Sequence, residues 1–404
     1  MTLTEQRFDP REGYDENGRM RAKAYDALVL SSFGGPEGQE DVIPFLRNVT
    51  GGRGIPEERL EEVAHHYRLN GGISPINAQN RALKSAIEAE LAARGIELPV
   101  LWANRNWAPY VRDVLVQAHE DGMDKLLVLA TSAYAGYSSC RQYREDYGEA
   151  LRETGLEGKV EVDKIRQYFD TPGFVQPFVD DLKAGLADVR AQLAARGEEG
   201  APLRIVFTTH SIPQTDADAA GPRDLAASID TDVYSHQHLA VANKILSQVP
   251  EADGLEWSLV FQSRSGAPHV PWLEPDINDA LAEYAQAGTR GVVVVPIGFV
   301  SDHMEVFWDL DTEAKQTSEE LGLAFHRVPT HGTHTAFVST IVDLVEERLL
   351  GPDGKPRREG RVTCMDDGPW YDVCRANCCV KQMRDGTYKP TIGAVDSEVG
   401  VPRS

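Results

Sequence analysis

Three groups of residues in this chain could do chemistry. Cys140 stands alone in the middle, while Cys364, Cys374, Cys378 and Cys379 crowd one 16-residue stretch near the end. Scattered core cysteines do not fall this way, and the pattern predicts a multi-thiolate metal site tying the tail to the body. His210 follows the apolar run LRIVFTT and precedes Ser211-Ile212-Pro213. An imidazole at a strand exit can move protons or hold a metal; the plainer reading is a histidine that caps the next helix. Asp302, Glu305, Asp309 and Glu313 follow the run GVVVVPI at intervals of three, four and four. On an α-helix beginning near an N-cap at Ser301 they would line one face, where like charges repel unless a cation relieves them. Such a row can hand a divalent cation from solvent to a histidine. A solvated acidic face is the ordinary explanation, but Val306, Phe307, Trp308 and Leu310 flank the row and predict partial burial.

Weaker signals surround these groups. SFGGPEG (32–38) is a glycine-rich turn without the GxGxxG spacing of a dinucleotide site or the lysine of a phosphate loop. GGISPI (71–76) places Ser74 where it could simply cap a helix. NRNW (104–107), SAYAGYSSCRQYRE (132–145) and the pairing of Arg264 with Trp272 put arginines beside aromatics. That combination suits a planar anionic ligand, whose rings stack while its carboxylates meet guanidinium groups.

The elements that must position these residues alternate. DALVLSS (26–32), PVLWAN (99–104), KLLVLAT (125–131), LRIVFTT (203–209), WSLVFQS (257–263) and GVVVVPI (291–297) predict strands buried on both faces of parallel sheets. Helical stretches such as 75–95, 173–196 and 232–248 lie between them, the pattern of an α/β doubly wound protein. The charged linker ARGEEGAP (195–202) divides the body into an N-terminal α/β domain, 25–195, and a C-terminal one, 200–348. Residues 1–24 read as a disordered extension, and 349–404 as a polar connector with a cysteine-rich, cluster-binding tail. In such sheets ligands bind beyond the carboxyl ends of the strands, where His210 and the acidic row fall.

Composition narrows the class. Of 404 residues, 63 are Asp or Glu and 41 are Lys or Arg, a net charge of −22. That surface does not suit nucleic acid or anionic lipid. No apolar run is long enough to span a membrane, and the first 24 residues lack the apolar centre of a signal peptide. The chain is read as cytoplasmic, where clustered cysteines favour metal over disulfides.

SFGGPEG, GGISPIN, NRNW, TTHSIP, FQSRSG…VPWLEPD and GFVSDHMEVFWDLDTEA, in this order over residues 25–348, together resemble the ferrochelatase family. With Cys140, the tail is similar to the actinobacterial branch that carries a [2Fe–2S] cluster and inserts Fe²⁺ into coproporphyrin III. The resemblance implies a chelatase-like fold of two similar domains, each a four-stranded parallel sheet flanked by helices. It implies His210 at the metal-insertion centre and Glu305 opposite it. Asp302, Asp309 and Glu313 would form an acidic track for iron or protons. Ser74 and Tyr143 match porphyrin-contacting positions. Phe33 stands where other members carry a tyrosine or methionine, and phenylalanine cannot ligate iron. His66 stands where some coproporphyrin-specific members carry arginine, with Arg53 and Arg105 as substitutes for contacting propionates. Four thiolates are required, and the expected set is Cys140, Cys364, Cys374 and Cys379, with Cys378 the alternative fourth. Expected partners are coproporphyrin III, ferrous iron and a haem-pathway enzyme exchanging porphyrin; the chain is expected to be a monomer. Three alternatives compete: protoporphyrin IX as substrate, an iron–sulfur sensor or carrier on a chelatase-like body, and Co²⁺ insertion into an early tetrapyrrole. Zinc competes for the cysteines.

Overall fold

Unbroken runs of valine, leucine and isoleucine favour strands sealed on both faces, and the computed structural model of the chain builds its sheets from them. It describes residues 18–51, 55–366, 368–375, 378–383 and 385–393. Strands β1 (Ala27–Ser32), β2 (Val100–Asn104), β3 (Lys125–Ala130) and β4 (Glu161–Lys164) form one sheet ordered β2-β1-β3-β4. Strands β5 (Leu203–His210), β6 (Glu256–Gln262), β7 (Gly291–Val295) and β8 (Ala324–Arg327) form a second, ordered β6-β5-β7-β8. Every pairing is parallel. All of β1 and all of β7 are buried.

Helices flank both sheets. The first half carries α1 (Val42–Thr50), α2 (Glu57–Leu69), α3 (Ile76–Ala93), α4 (Val111–Glu120) and α5 (Gln142–Thr154). The long α6 (Pro172–Ala195) precedes β5 yet packs on β7 and β8 of the second sheet. The helix Thr335–Glu346 packs on α6 and reaches back to α3. One continuous core therefore joins Leu28 and Leu83 to Phe174, Phe207 and Ile341. Gly173 permits the closest approach: a Cβ there would meet the Ala336 carbonyl oxygen at 2.1 Å.

The tail docks without regular structure. Arg166 pairs with Asp170 at 2.8 Å and Glu347 at 3.1 Å, and Arg361 bridges Glu347 and Asp372. Arg166, Asp170, Glu347 and Asp372 are nearly sealed from water, 1% exposed in each side chain. Of the extension expected to be disordered, residues 1–17 lie outside the described residues. Residues 18–24 run along the tail instead: Met20 N–H donates to Asp372, Asp372 N–H to the Gly18 carbonyl and Lys23 N–H to the Arg348 carbonyl. No described helix is long and apolar enough to cross a membrane.

Candidate active site and thiol site

Phe33 after β1 and Glu305 and Phe307 after β7 are exposed, so the carboxyl ends of these central strands border open space, the cleft of the site. β5 ends at His210, which is held from two sides. Tyr234 donates its hydroxyl to the His210 carbonyl at 3.0 Å, and the His210 Nδ1 meets the Ser211 carbonyl. A ring that donates from Nδ1 to a carbonyl turns its Nε2 lone pair outward. That Nε2 lies 3.5 Å from a Glu305 carboxylate oxygen, and Glu305 lies 3.8 Å from His303 Nδ1.

The acidic segment departs from the expected α-helix. Ser301 is not its N-cap; His303 is, accepting from Glu305 N–H at 3.2 Å. One α-helical turn (Met304–Val306) gives way to a π-helix over Phe307–Ala314. Such bulges are rare and recur at functional sites. Asp302 precedes the cap, so helical spacing does not apply to it. It faces Arg327 at 3.2 Å and Thr330 at 3.1 Å instead. Asp309 accepts from Ser263 and, at 3.4 Å, from Gln262. Glu313 accepts from the Trp308 indole at 2.8 Å, and Trp308 stacks on His66 of α2 at 4.0 Å. That stack crosses the cleft, as does the packing of Met304 against Phe45, Leu60 and Tyr67.

The electrostatics sort the three groups. Burial alone would lower the His210 pKa, but the hydrogen bond and charge of Glu305 outweigh it and raise it. Burial would raise Glu305, yet His210 and then His303 hold it down at about 2 although 54% of its side chain is open to the cleft. Asp309 goes the other way. Burial pushes it up to about 7, the Ser263 hydroxyl opposes that, and the charges of Glu305 and Glu313 reinforce it. A permanent anion, a basic histidine and a carboxyl that titrates near neutrality thus stand in a row.

The other expected positions are scattered around this centre. Phe33 follows β1, is 38% exposed and rests its edge on Phe45. Ser74 is buried just before α3. Tyr143 is buried beneath the Arg105 guanidinium, 4.9 Å from its ring centre, and Arg105 is engaged by Asp146 at 2.7 Å. Arg53 lies outside the described residues. Sequence reasoning gave no role to His303, Ser263, Tyr234 or His238. The first two sit inside quoted motifs, so adjacency was the available signal. Tyr234 and His238 follow helical spacing in VYSHQHL, but nothing marks their contact with Thr209 and the strand end.

A cavity of 720 Å³ lies away from this centre, along the edge strand β6 between Asp218, Ile229, Leu239 and Leu273. It holds neither His210 nor the carboxylates.

Four thiols lie together at a second place. Cys140 and Cys378 each hydrogen-bond to the Cys374 sulfur, all of them free thiols, Cys378 lies 3.8 Å from Cys379, and Cys379 accepts from Gly221 N–H at 3.1 Å. Their donors hold Cys374 and Cys379 below the ordinary thiol range. The hydrogen bond to Cys374, together with burial, pushes Cys140 and Cys378 up. Cys364 is not in this series: its half-buried thiol faces a separate cavity. Among the described residues no three or more His, Cys, Asp or Glu side chains are placed to hold a single metal ion. Two non-glycine described residues have positive φ, Ser263 at 61° and Cys379 at 56°. Strain of that kind, of order 1–3 kcal/mol each, gathers at functional sites; one marks each place.

Two sheets of repeated order, with a histidine and a carboxylate facing at a strand exit, define a double α/β protein with its candidate site at the carboxyl end of a central strand. The family model for ferrochelatase matches residues 25–349. The coproporphyrin III ferrochelatase of Leifsonia xyli is 56% identical over 376 residues, 92% of this chain and 95% of its own. Those of Tropheryma whipplei and Streptomyces griseus are each 51% identical, over 94% and 92% of this chain and 95% and 97% of theirs. This chain belongs to the ferrochelatase family.

Proposed function

We propose that this enzyme inserts Fe²⁺ into coproporphyrin III, releasing two protons and giving iron coproporphyrin III for haem synthesis. The observation that carries the reading is the facing of His210 and Glu305 across 3.5 Å, in a chain 56% identical to a coproporphyrin III ferrochelatase. Insertion needs no electrons. Two pyrrole N–H protons must leave as the ion enters, and general bases of matched pKa serve that step. The His210 Nε2 takes a pyrrole proton, Glu305 holds the resulting imidazolium, and Asp309 passes protons toward Glu313 and solvent. Ser74, Tyr143 and Phe33 would contact the macrocycle, and Arg105 and Arg53 its propionates.

The four contiguous thiols suit a [2Fe–2S] cluster, since such clusters are held by cysteine thiolates. We assign Cys140, Cys374, Cys378 and Cys379 to it, with the expected Cys364 replaced by Cys378 because Cys364 lies apart. Bound there, the cluster would cross-link the tail to the segment before α5. The acidic surface fits a monomeric enzyme of the cytoplasm that receives porphyrin from, or hands it to, another enzyme of the same route.

His210→Ala tests the reading. Porphyrin fluorescence titration should show binding retained, while an iron-insertion assay shows turnover lost. Normal turnover would end the role assigned to His210.

A further inference from the structure

A cavity of 310 Å³ lies between the tail, the start of α6 and the helix Val233–Leu246. It is separate from the His210 cleft and at the small end of ligand pockets, which run from about 300 to 1,000 Å³. Phe169 and Trp370 form an aromatic wall, their rings 5.6 Å apart edge to face. Gln237 lines it and is 1% exposed. Its side-chain oxygen accepts from Ala135 N–H at 2.8 Å, but its Nε2 has no hydrogen-bond partner among the described residues. A buried amide donor left unpaired costs about 1–3 kcal/mol. Lys244 also lines the cavity, half-buried, with no carboxylate partner among the described residues. The buried carboxylate on this wall, Asp170, is already occupied by Arg166 and the Trp370 N–H. The buried unmet group is therefore a donor and the half-buried one a cation, against an aromatic wall, while the remaining lining carboxylate, Asp366, is exposed to solvent.

We propose that this cavity is a second ligand site, for a small aromatic carboxylate whose anion meets Lys244 and the Gln237 amide while its ring lies against Trp370 and Phe169. The site stands whether or not the chain inserts iron. Cys364 reports on it, because its half-buried thiol opens into the same cavity whereas the other four cysteines are buried.

The test uses the holoprotein and benzoate as probe, with benzamide as the neutral isostere. Calorimetric titration measures binding, and intact-mass and peptide analysis follow alkylation of Cys364. Benzoate at about ten times its dissociation constant should slow Cys364 labelling roughly elevenfold, the factor by which the free site is depleted. Benzamide should bind at least about tenfold more weakly, the loss of one charge-assisted contact. Lys244→Gln should abolish benzoate protection, the rate with benzoate equalling the rate without it, although Cys364 of the variant labels more slowly than in the parent because the Lys244 charge favours its thiolate. Gln237→Leu should weaken it as well. No heat of binding, protection equal with benzamide, protection unchanged in Lys244→Gln, or a Cys364 that never labels would each overturn the proposal.

Discussion

Asp309 is held at about 7 in the folded chain against 3.8 for an ordinary aspartate. The unfolded chain ionises it at the ordinary value, so between those pH values the folded state binds more protons than the unfolded one. Stability must then fall as pH rises. Below 3.8 both states are protonated and nothing is lost; above about 7 both are ionised and the cost is complete. At about 1.4 kcal/mol per pH unit the full difference comes to about 4 kcal/mol. Asp309 is partly open to the cleft, and water screening reduces that to about 2 kcal/mol. Asp309→Asn abolishes the ionisation and keeps an acceptor for Ser263. Urea unfolding should find parent and variant alike near about pH 4 and the variant more stable by about 2 kcal/mol at about pH 8.5, the gap opening in between. The same substitution should flatten any rise of insertion rate through neutral pH. A gain equal at every pH, or a parent more stable at alkaline pH, would refute the reasoning.

Three further outcomes follow from the geometry. Glu305→Gln removes the group that raises His210, so the His210 ring signal in NMR should titrate at lower pH than in the parent; an unchanged midpoint contradicts the pairing. Arg166→Met leaves Asp170 and Glu347 buried with a lost partner and should cost about 3–5 kcal/mol in urea unfolding. Cys374→Ser should bleach the visible absorption of the purified protein and its EPR signal on reduction, whereas Cys364→Ser should leave both; the reverse result restores Cys364 to the ligand set.

The six apolar runs named from sequence are all strands, because parallel strands covered on both faces leave a continuous apolar signature. β4 and β8 escaped notice. Each is a four-residue edge strand, EVDK and AFHR, whose pairing is decided by its neighbour and not by its own side chains. The pairing of α6 with the second sheet was equally hidden: a helix's apolar face does not say which sheet it will cover. At the site, His210 and Glu305 could be found from strand exits and motif order. The placing of Asp302 could not. Its distance from Glu305 promised one helical face, but the His303 cap starts the helix two residues later than a Ser301 cap would, and Arg327, 25 residues on, claims the carboxylate. For the cysteines, spacing alone barely separates Cys378 from Cys379, and the irregular tail has no period from which to place Cys364 relative to either.

Two sheets threaded in one order, β2-β1-β3-β4 and β6-β5-β7-β8, make the two halves alike in topology. Two identical halves related by a twofold axis would carry the same residue at both central strand ends. Here the two ends differ. β5 now finishes in His210, while β1 finishes in Ser32, whose hydroxyl is occupied by the Asn80 amide at 2.6 Å. A disc-shaped substrate between them would see a basic side and an inert side. The difference gives the cleft a polarity that no symmetric dimer could have, so that loading from one face and departure by the other become distinguishable events.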